Sequence, residues 1–149
     1  MIIFDSEGDG LADSATKFHI YSWTTDGENF NSTVDADVFT DVLSKQEAAG
    51  CHNSFRHDFV LFSRLLGYDY KGIQVDTLWL SWYLFPDRPK HGLASWGEEF
   101  GYPKVDVADE GWIIGDYDLM KERCERDVKI NWLLWKKQEK LLEKLYGSQ

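Results

Sequence analysis

The N-terminus constrains the fold most, because the apolar run Met1-Ile2-Ile3-Phe4 leads straight into Asp5-Ser6-Glu7. Residues 1–5 read as a buried strand, and Glu7-Gly8-Asp9-Gly10 stops it. In an extended chain residues i and i+2 face the same side, so the Asp5 and Glu7 carboxylates project together while Ser6 points away. Neighbouring carboxylates repel and raise one another's pKa unless a cation lies between them. Taken alone, such a pair is more often a solvated acidic turn.

A buried strand needs a core around it, and the chain supplies one. It has 149 residues, 43% hydrophobic and 15% aromatic, with seven Trp, which predicts one compact domain over 1–149 and argues against disorder. Residues 17–24 alternate Phe18, Ile20 and Ser22 against His19, the pattern of a half-buried strand. Asp26-Gly27 signals a hairpin turn, with residues 29–34 as the returning strand. Residues 35–49 carry helical spacing in Val38, Phe39, Val42 and Leu43 and end at Gly50. The segment Ala48-Ala49-Gly50-Cys51 is poorly apolar and predicts at best a short or irregular strand. Residues 55–66 form an apolar helix with Phe55, Phe59, Phe62 and Leu66 on one face. Ile73-Gln74-Val75 is a short strand, and Asp76-Thr77 opens a helix over 77–84 that Pro86 and Pro89 break. Residues 91–100 form a short helix and 119–146 a long, charged, amphipathic one. Along it Trp132, Trp135, Leu134, Leu141 and Leu145 read as a core stripe, and Lys136, Lys137, Lys140 and Lys144 as a solvated face. No repeat, low-complexity tract or linker divides the chain. This order predicts an α/β fold with a central mixed sheet flanked by helices.

Composition narrows the function classes. A formal net charge of −10 argues against a basic nucleic-acid footprint but suits carboxylates clustered to hold divalent cations. Every apolar run is cut by charge well short of the ~20 residues of a membrane span, so no membrane partner is expected. The N-terminus lacks the basic flank of a signal peptide, and Cys51 and Cys124 lie far apart without ligand-like spacing. Both features predict a reducing, cytoplasmic location.

Two further acids keep company with Asp5 and Glu7. Asp58 lies in His52-Asn53-Ser54-Phe55-Arg56-His57-Asp58, at the start of an apolar helix, where an acid also complements the helix dipole. Asp127 lies in Arg123-Cys124-Glu125-Arg126-Asp127 on the final helix, where it also fits a plain surface charge.

The order Asp-x-Glu on a first strand, His-Asn-x4-Asp opening a helix, and Asp on a C-terminal helix resembles the three motifs of the DEDD family of 3′–5′ exonucleases. It is most similar to the proofreading domains of family A DNA polymerases, of bacterial polymerase I and T-odd phage type. Phe4-Asp5-Ser6-Glu7-Gly8-Asp9-Gly10-Leu11, Val75-Asp76-Thr77-Leu78 and His91-Gly92-Leu93-Ala94-Ser95-Trp96-Gly97 extend the likeness over nearly the whole chain. The resemblance implies an RNase H-like (DnaQ-like) fold. It implies a metal-dependent DNA exonuclease that releases nucleoside monophosphates, proofreading or end-trimming and phage-encoded. Asp5, Glu7 and Asp127 would hold one Mg²⁺ or Mn²⁺, Asp5 would share a second ion, and Asp58 would contact that ion through water. The pair of ions would activate a water and stabilise the leaving 3′ oxygen. Leu11 and Phe55 would wedge or stack the terminal base, with core packing as their plainer alternative. Asn53 and Arg123 complete the implied substrate contacts.

The sequence departs from the family where many members carry Tyr, four residues before the last Asp, and has Arg123 there. Glu122 stands where another branch has His, and His57 where Tyr precedes the acid. Arg is protonated in proteins, so Arg123 is no general base; one helical turn before Asp127, it can pair with that acid or grip a phosphate. The implied partners are a single-stranded or frayed DNA 3′ end and, since no polymerase domain follows Gln149, a separate polymerase or single-strand-binding protein, within a host cytoplasm. RNA 3′-end trimming is the alternative activity. A weakened nucleic-acid-binding or recruitment module is the alternative without one.

Overall fold

The computed structural model describes residues 1–103 and 116–147. Its sheet has the strand order β3-β2-β1-β4-β5, with β1 at Ile2–Gly8, β2 at Phe18–Thr24, β3 at Asn31–Thr33, β4 at Ala48–Cys51 and β5 at Ile73–Asp76. The pairs β1–β2 and β2–β3 are antiparallel, whereas β1–β4 and β4–β5 are parallel. The sheet is therefore mixed, as the element order predicts. The described helices are α1 at Ala36–Ser44, α2 at Asp58–Leu66, α3 at Thr77–Leu84, α4 at Leu93–Phe100 and α5 at Tyr117–Tyr146.

Alternation along β1 divides the molecule into two layers. Ile2 and Phe4 enter an aromatic core with Tyr21, Phe39, Leu43 and Phe62. Phe4 meets Phe39 and Phe59 at centroid distances of 5.6 Å, and Tyr21 stacks on Phe39 at 4.7 Å. Offset and edge contacts of this kind add to the burial of large apolar area. On the other layer Ile20 clusters with Met120 and Cys124 of α5, which lies against β1 and β2. Asp5 and Glu7 pair with Ser22 and Ile20 in register, so they share this α5 side.

The β2–β3 turn shows how closely α5 approaches. Gly27 has φ of 76°, and a Cβ there would lie 2.1 Å from Trp132 Nε1. Only glycine satisfies both the left-handed backbone and the ring above it.

Several boundaries differ from the periodicity. The helix expected over 35–49 stops at Ser44, because 48–51 is a full strand between β1 and β5. A Cβ on Gly50 would approach Met1 Cε and Ile3 Cδ1 to 2.8 and 2.9 Å, so β4 is small-residued through crowding. β1 continues to Gly8, with a register shift between Glu7 and Gly8. α2 begins at Asp58, leaving Phe55 in the preceding loop and 44% exposed instead of on the helix's core face. β3 is shorter than residues 29–34, α4 begins at Leu93, and α5 begins at Tyr117 with Asp116 accepting from the Leu119 N–H. Of the expected α5 stripe, Leu134 is fully buried but Leu145 is exposed. Among the described residues, no helix is long and apolar enough to cross a membrane.

Candidate active site

A cavity of about 260 Å³ opens where β1, the loop after β4, and the start of α2 meet α4 and α5. β1 contributes Asp5, Ser6 and Glu7; the loop and α2 contribute His52, Asn53, His57 and Asp58. Leu93 of α4 and Arg123 and Asp127 of α5 close it. The four acids, separated by up to 122 positions in sequence, thus share one cavity.

Asp5 is the hub. One donor atom each from Asp5, Cys51 and Asp58 lies within 4.8 Å of the others, and so do atoms of Asp5, Glu7 and Cys124. Asp127 lines the same cavity and acts on Asp5 by its charge, outside either trio. Asp5 is partly open to the cavity but otherwise enclosed by protein. That burial, followed by the charges of Glu7, Asp127 and Asp58, pushes its pKa well above the carboxylate range. Burial also raises the pKa of Asp58, against the hydrogen bond from Ser6.

Alternation along β1 sets Ser6 opposite Asp5 and Glu7, yet it lines the same cavity. It is not idle there, since its Oγ donates to Asp58 Oδ2 at 2.5 Å and fixes that carboxylate. The loop carrying Asn53 and Phe55 is held from β5. Asp76 accepts from the Asn53 N–H at 2.8 Å, the Phe55 N–H at 3.1 Å and, as the α3 cap, the Leu78 N–H at 2.9 Å. Asn53 takes a left-handed backbone, φ 65°, which Asn tolerates better than most residues. His52 Nδ1 lies 2.9 Å from Thr77 Oγ1, and Thr77 donates to Asn131 Oδ1 at 2.6 Å, tying the loop to α5.

The cysteines were the residues that spacing missed. Cys124 Sγ donates to Asp5 Oδ2 at 3.5 Å, and Cys51 belongs to the Asp58 trio. Burial first, then the nearby carboxylates, pushes both thiols far up, so they are neutral at physiological pH and unpaired by disulfide. The signal in sequence was position: Cys51 ends a strand beside His52, and Cys124 sits three residues before Asp127.

The donor chemistry fits a hard divalent cation. Clustered carboxylate oxygens that repel one another are stabilised by Mg²⁺ or Mn²⁺, whereas neutral thiols are poor ligands for either. A second, wider depression of about 590 Å³ adjoins the cavity and shares Glu7 and Arg123 with it; Gly8, Asp9, Gly10, Lys17 and His19 complete its wall. The loop beside this depression exposes Leu11 to 73%. Core packing is thereby excluded for Leu11 and for half-exposed Phe55.

No protein-family model matches the chain, and no curated protein matches it. Solved structures share its fold. Brucella melitensis NrnC with bound Mg²⁺ superposes with a TM-score of 0.71 at 16% identity, covering 99% of this chain and 75% of that one. A nuclease in its apo form gives 0.70 at 16% identity, covering 98% and 74%. Exonuclease X in complex with 5′ overhanging duplex DNA gives 0.60 at 16% identity, covering 99% and 93%. At such identities the likeness is one of fold, and the chain has the RNase H-like fold that these nucleases share.

Proposed function

We propose that the chain is a divalent-metal-dependent 3′–5′ exonuclease acting on single-stranded or frayed DNA ends and releasing nucleoside monophosphates. The observation that carries this reading is the gathering of Asp5, Glu7, Asp58 and Asp127 at one cavity, with Asp5 shared between two trios of donor atoms. Four buried or half-buried acids in mutual repulsion destabilise a fold unless a cation is their purpose. The DNA complex of Exonuclease X supports the choice of substrate.

Asp5, Glu7 and Asp127 would hold one Mg²⁺ or Mn²⁺, and Asp5 with Asp58 a second. When bound, such ions lower the pKa of water and stabilise charge on the leaving oxygen. The chain's own residues do the rest. Ser6 fixes the Asp58 carboxylate, and Asp76 fixes the loop that presents Asn53 and Phe55. Arg123 stands between the acid cavity and the wider depression, where its guanidinium can hold a phosphate oxygen. Leu11 and Phe55, both exposed, would meet the bases at the 3′ end of the strand.

The test is digestion of single-stranded DNA and RNA, labelled at either end, with Mg²⁺ or Mn²⁺ and with chelator. Stepwise shortening from the 3′ end of DNA, abolished by chelator, is expected. Cleavage that survives chelation, or shortening from the 5′ end, would overturn the reading, and a clear preference for RNA would reassign the substrate.

A further inference from the structure

The loop that serves the acid cavity also serves an exposed aromatic ridge outside it. His52, Asn53 and His57 face the cavity, while between them Phe55 is 44% exposed. From Phe55 the ridge continues along α3. The Phe55 and Trp79 ring centroids are 6.4 Å apart with planes tilted by 43°, and Trp79 and Trp82 are 5.4 Å apart at 71°. Trp79 is 41% exposed and Trp82 44% exposed. Arg56 holds its guanidinium 5.5 Å from the Trp79 centroid. At the far end Trp82 meets His91 edge to face at 6.4 Å, and the His91 carbonyl lies 3.2 Å from His52 Nε2, back at the cavity. Asp76 accepts from both the loop and the first turn of α3, so ridge and cavity are held in one register.

We propose that Phe55, Trp79 and Trp82, with Arg56, form a stacking platform for successive bases of a single-stranded nucleic acid whose end lies in the acid cavity. The inference rests on the nuclease reading and extends it from the terminal nucleotide to the strand behind it. Two considerations select a nucleic-acid strand as the occupant. First, the ridge begins on the very loop that lines the cavity. Second, Trp79 and Trp82 keep ring surface open to solvent although they touch edge to face, and a guanidinium lies alongside. Stacking accepts every base, as an end-trimming activity requires.

The platform is tested by binding, which needs no cleavage. Oligo(dT) strands from two nucleotides upward are titrated in chelator at low salt, following the anisotropy of a label at the 5′ end. Wild type should bind more tightly as the strand lengthens until the platform is covered. Trp79→Ala and Trp82→Ala should each weaken the longer strands by roughly tenfold and flatten the length dependence, the scale of one lost stack. Trp79→Phe and Trp82→Phe should restore most of the gain, and circular dichroism of every variant checks the fold. Folded Ala variants with unchanged length dependence would overturn the platform, as would wild type showing no gain with length. If the Ala variants instead lose self-association, or binding to a protein, with strand affinity intact, the ridge and its adjoining groove are a protein face and the proposal fails. Cleavage is scored separately. Length-dependent binding without any cleavage would leave the platform standing and remove the nuclease reading; cleavage without length dependence would do the reverse.

Discussion

Asp26 in the β2–β3 turn and Asp5 at the centre of the sheet are the same residue used in opposite ways. Asp26 accepts from the backbone N–H groups of Glu28 and Asn29 at 2.8 Å, and from the Asn29 side chain at 2.7 Å. Those donors hold its carboxyl far below the usual range. Asp9, which bonds Thr16 and the Lys17 N–H, is likewise held down to about 2. Asp5 is surrounded by Glu7, Asp127 and Asp58, and its pKa is driven up. A carboxylate saturated with N–H donors stabilises the chain that surrounds it. One aimed at other carboxylates destabilises that chain and is explained only by a cation or proton still to arrive. Asp5 ends an apolar strand run and Asp26 sits in a polar turn, but what sets their ionisation is what the fold brings near each.

The largest expected effect separates the two kinds of acid directly. Asp5→Asn should reduce cleavage by about 10³-fold or more, the scale on which preorganised electrostatic groups act. In chelator it should also melt at a higher temperature than wild type, since a repelled carboxylate has been neutralised without loss of shape. Added Mn²⁺ should raise the melting temperature of wild type and leave that of Asp5→Asn nearly unmoved. Asp26→Ala should show the opposite pair, a lower melting temperature and near-normal cleavage. Activity assays beside thermal melts of the three proteins decide it. An Asp5→Asn protein that is both active and less stable would erase the contrast.

How much of this was legible in the sequence follows from the range of the forces involved. The hairpin at Asp26-Gly27 and the helix opened by Asp76-Thr77 are local, and both stand where the pattern puts them. The four acids were picked out by order and company, and the structure gathers them at one cavity. β4 was half-hidden, because a strand crowded by Met1 and Ile3 must be built of Ala and Gly, which carry no apolar period. Cys51 and Cys124 lack ligand-like spacing in the chain, yet both reach Asp5 because a parallel strand pair and α5 converge on β1. The Ser6–Asp58 bond joins residues 52 apart and has no local signature. The spacing of Phe55 from Phe59 predicts a shared helix face, but the helix begins later, at Asp58.

Arg123 offers the next, smaller effect and sharpens the contrast from the cationic side. It borders both the acid cavity and the depression beside it, one helical turn before Asp127. Its guanidinium has fixed donors for a phosphate oxygen and no lone pair to take a proton. Arg123→Ala should therefore lower single-turnover cleavage at saturating metal by roughly 10²-fold. Arg123→Lys should retain an intermediate rate, keeping the charge but losing the fork of donors. Arg123→Tyr separates positioning from proton transfer, because a phenol supplies the second and not the charge. Cleavage by Arg123→Ala at the wild-type rate would show that the acids work without it.

The smallest effect is a slope, and its sign distinguishes the two regions without any assay of activity. For a group whose pKa is raised by folding, the native state holds more protons than the unfolded chain between the two pKa values, so stability falls as pH rises. Asp5 and Asp58 are both raised from 3.8, so in chelator their contribution is present below that pH and is lost as pH climbs through their folded values. For Asp9 and Asp26 the signs reverse. Their contribution is present above 3.8 and is lost only as pH falls through values near or below 2. Between the ordinary carboxylate range and neutrality, then, the turns contribute no slope and the acid cluster contributes a downward one. Urea unfolding of metal-free wild type across that interval should show declining stability, and Asp5→Asn should flatten the decline. Saturating Mn²⁺ should flatten or reverse it too, because bound cation favours the ionised acids. A wild-type curve that rises with pH in chelator, with Asp5→Asn parallel to it, would mean that Asp5 ionises as easily in the folded protein as in the unfolded chain, and the argument for a waiting cation site would lose its electrostatic basis.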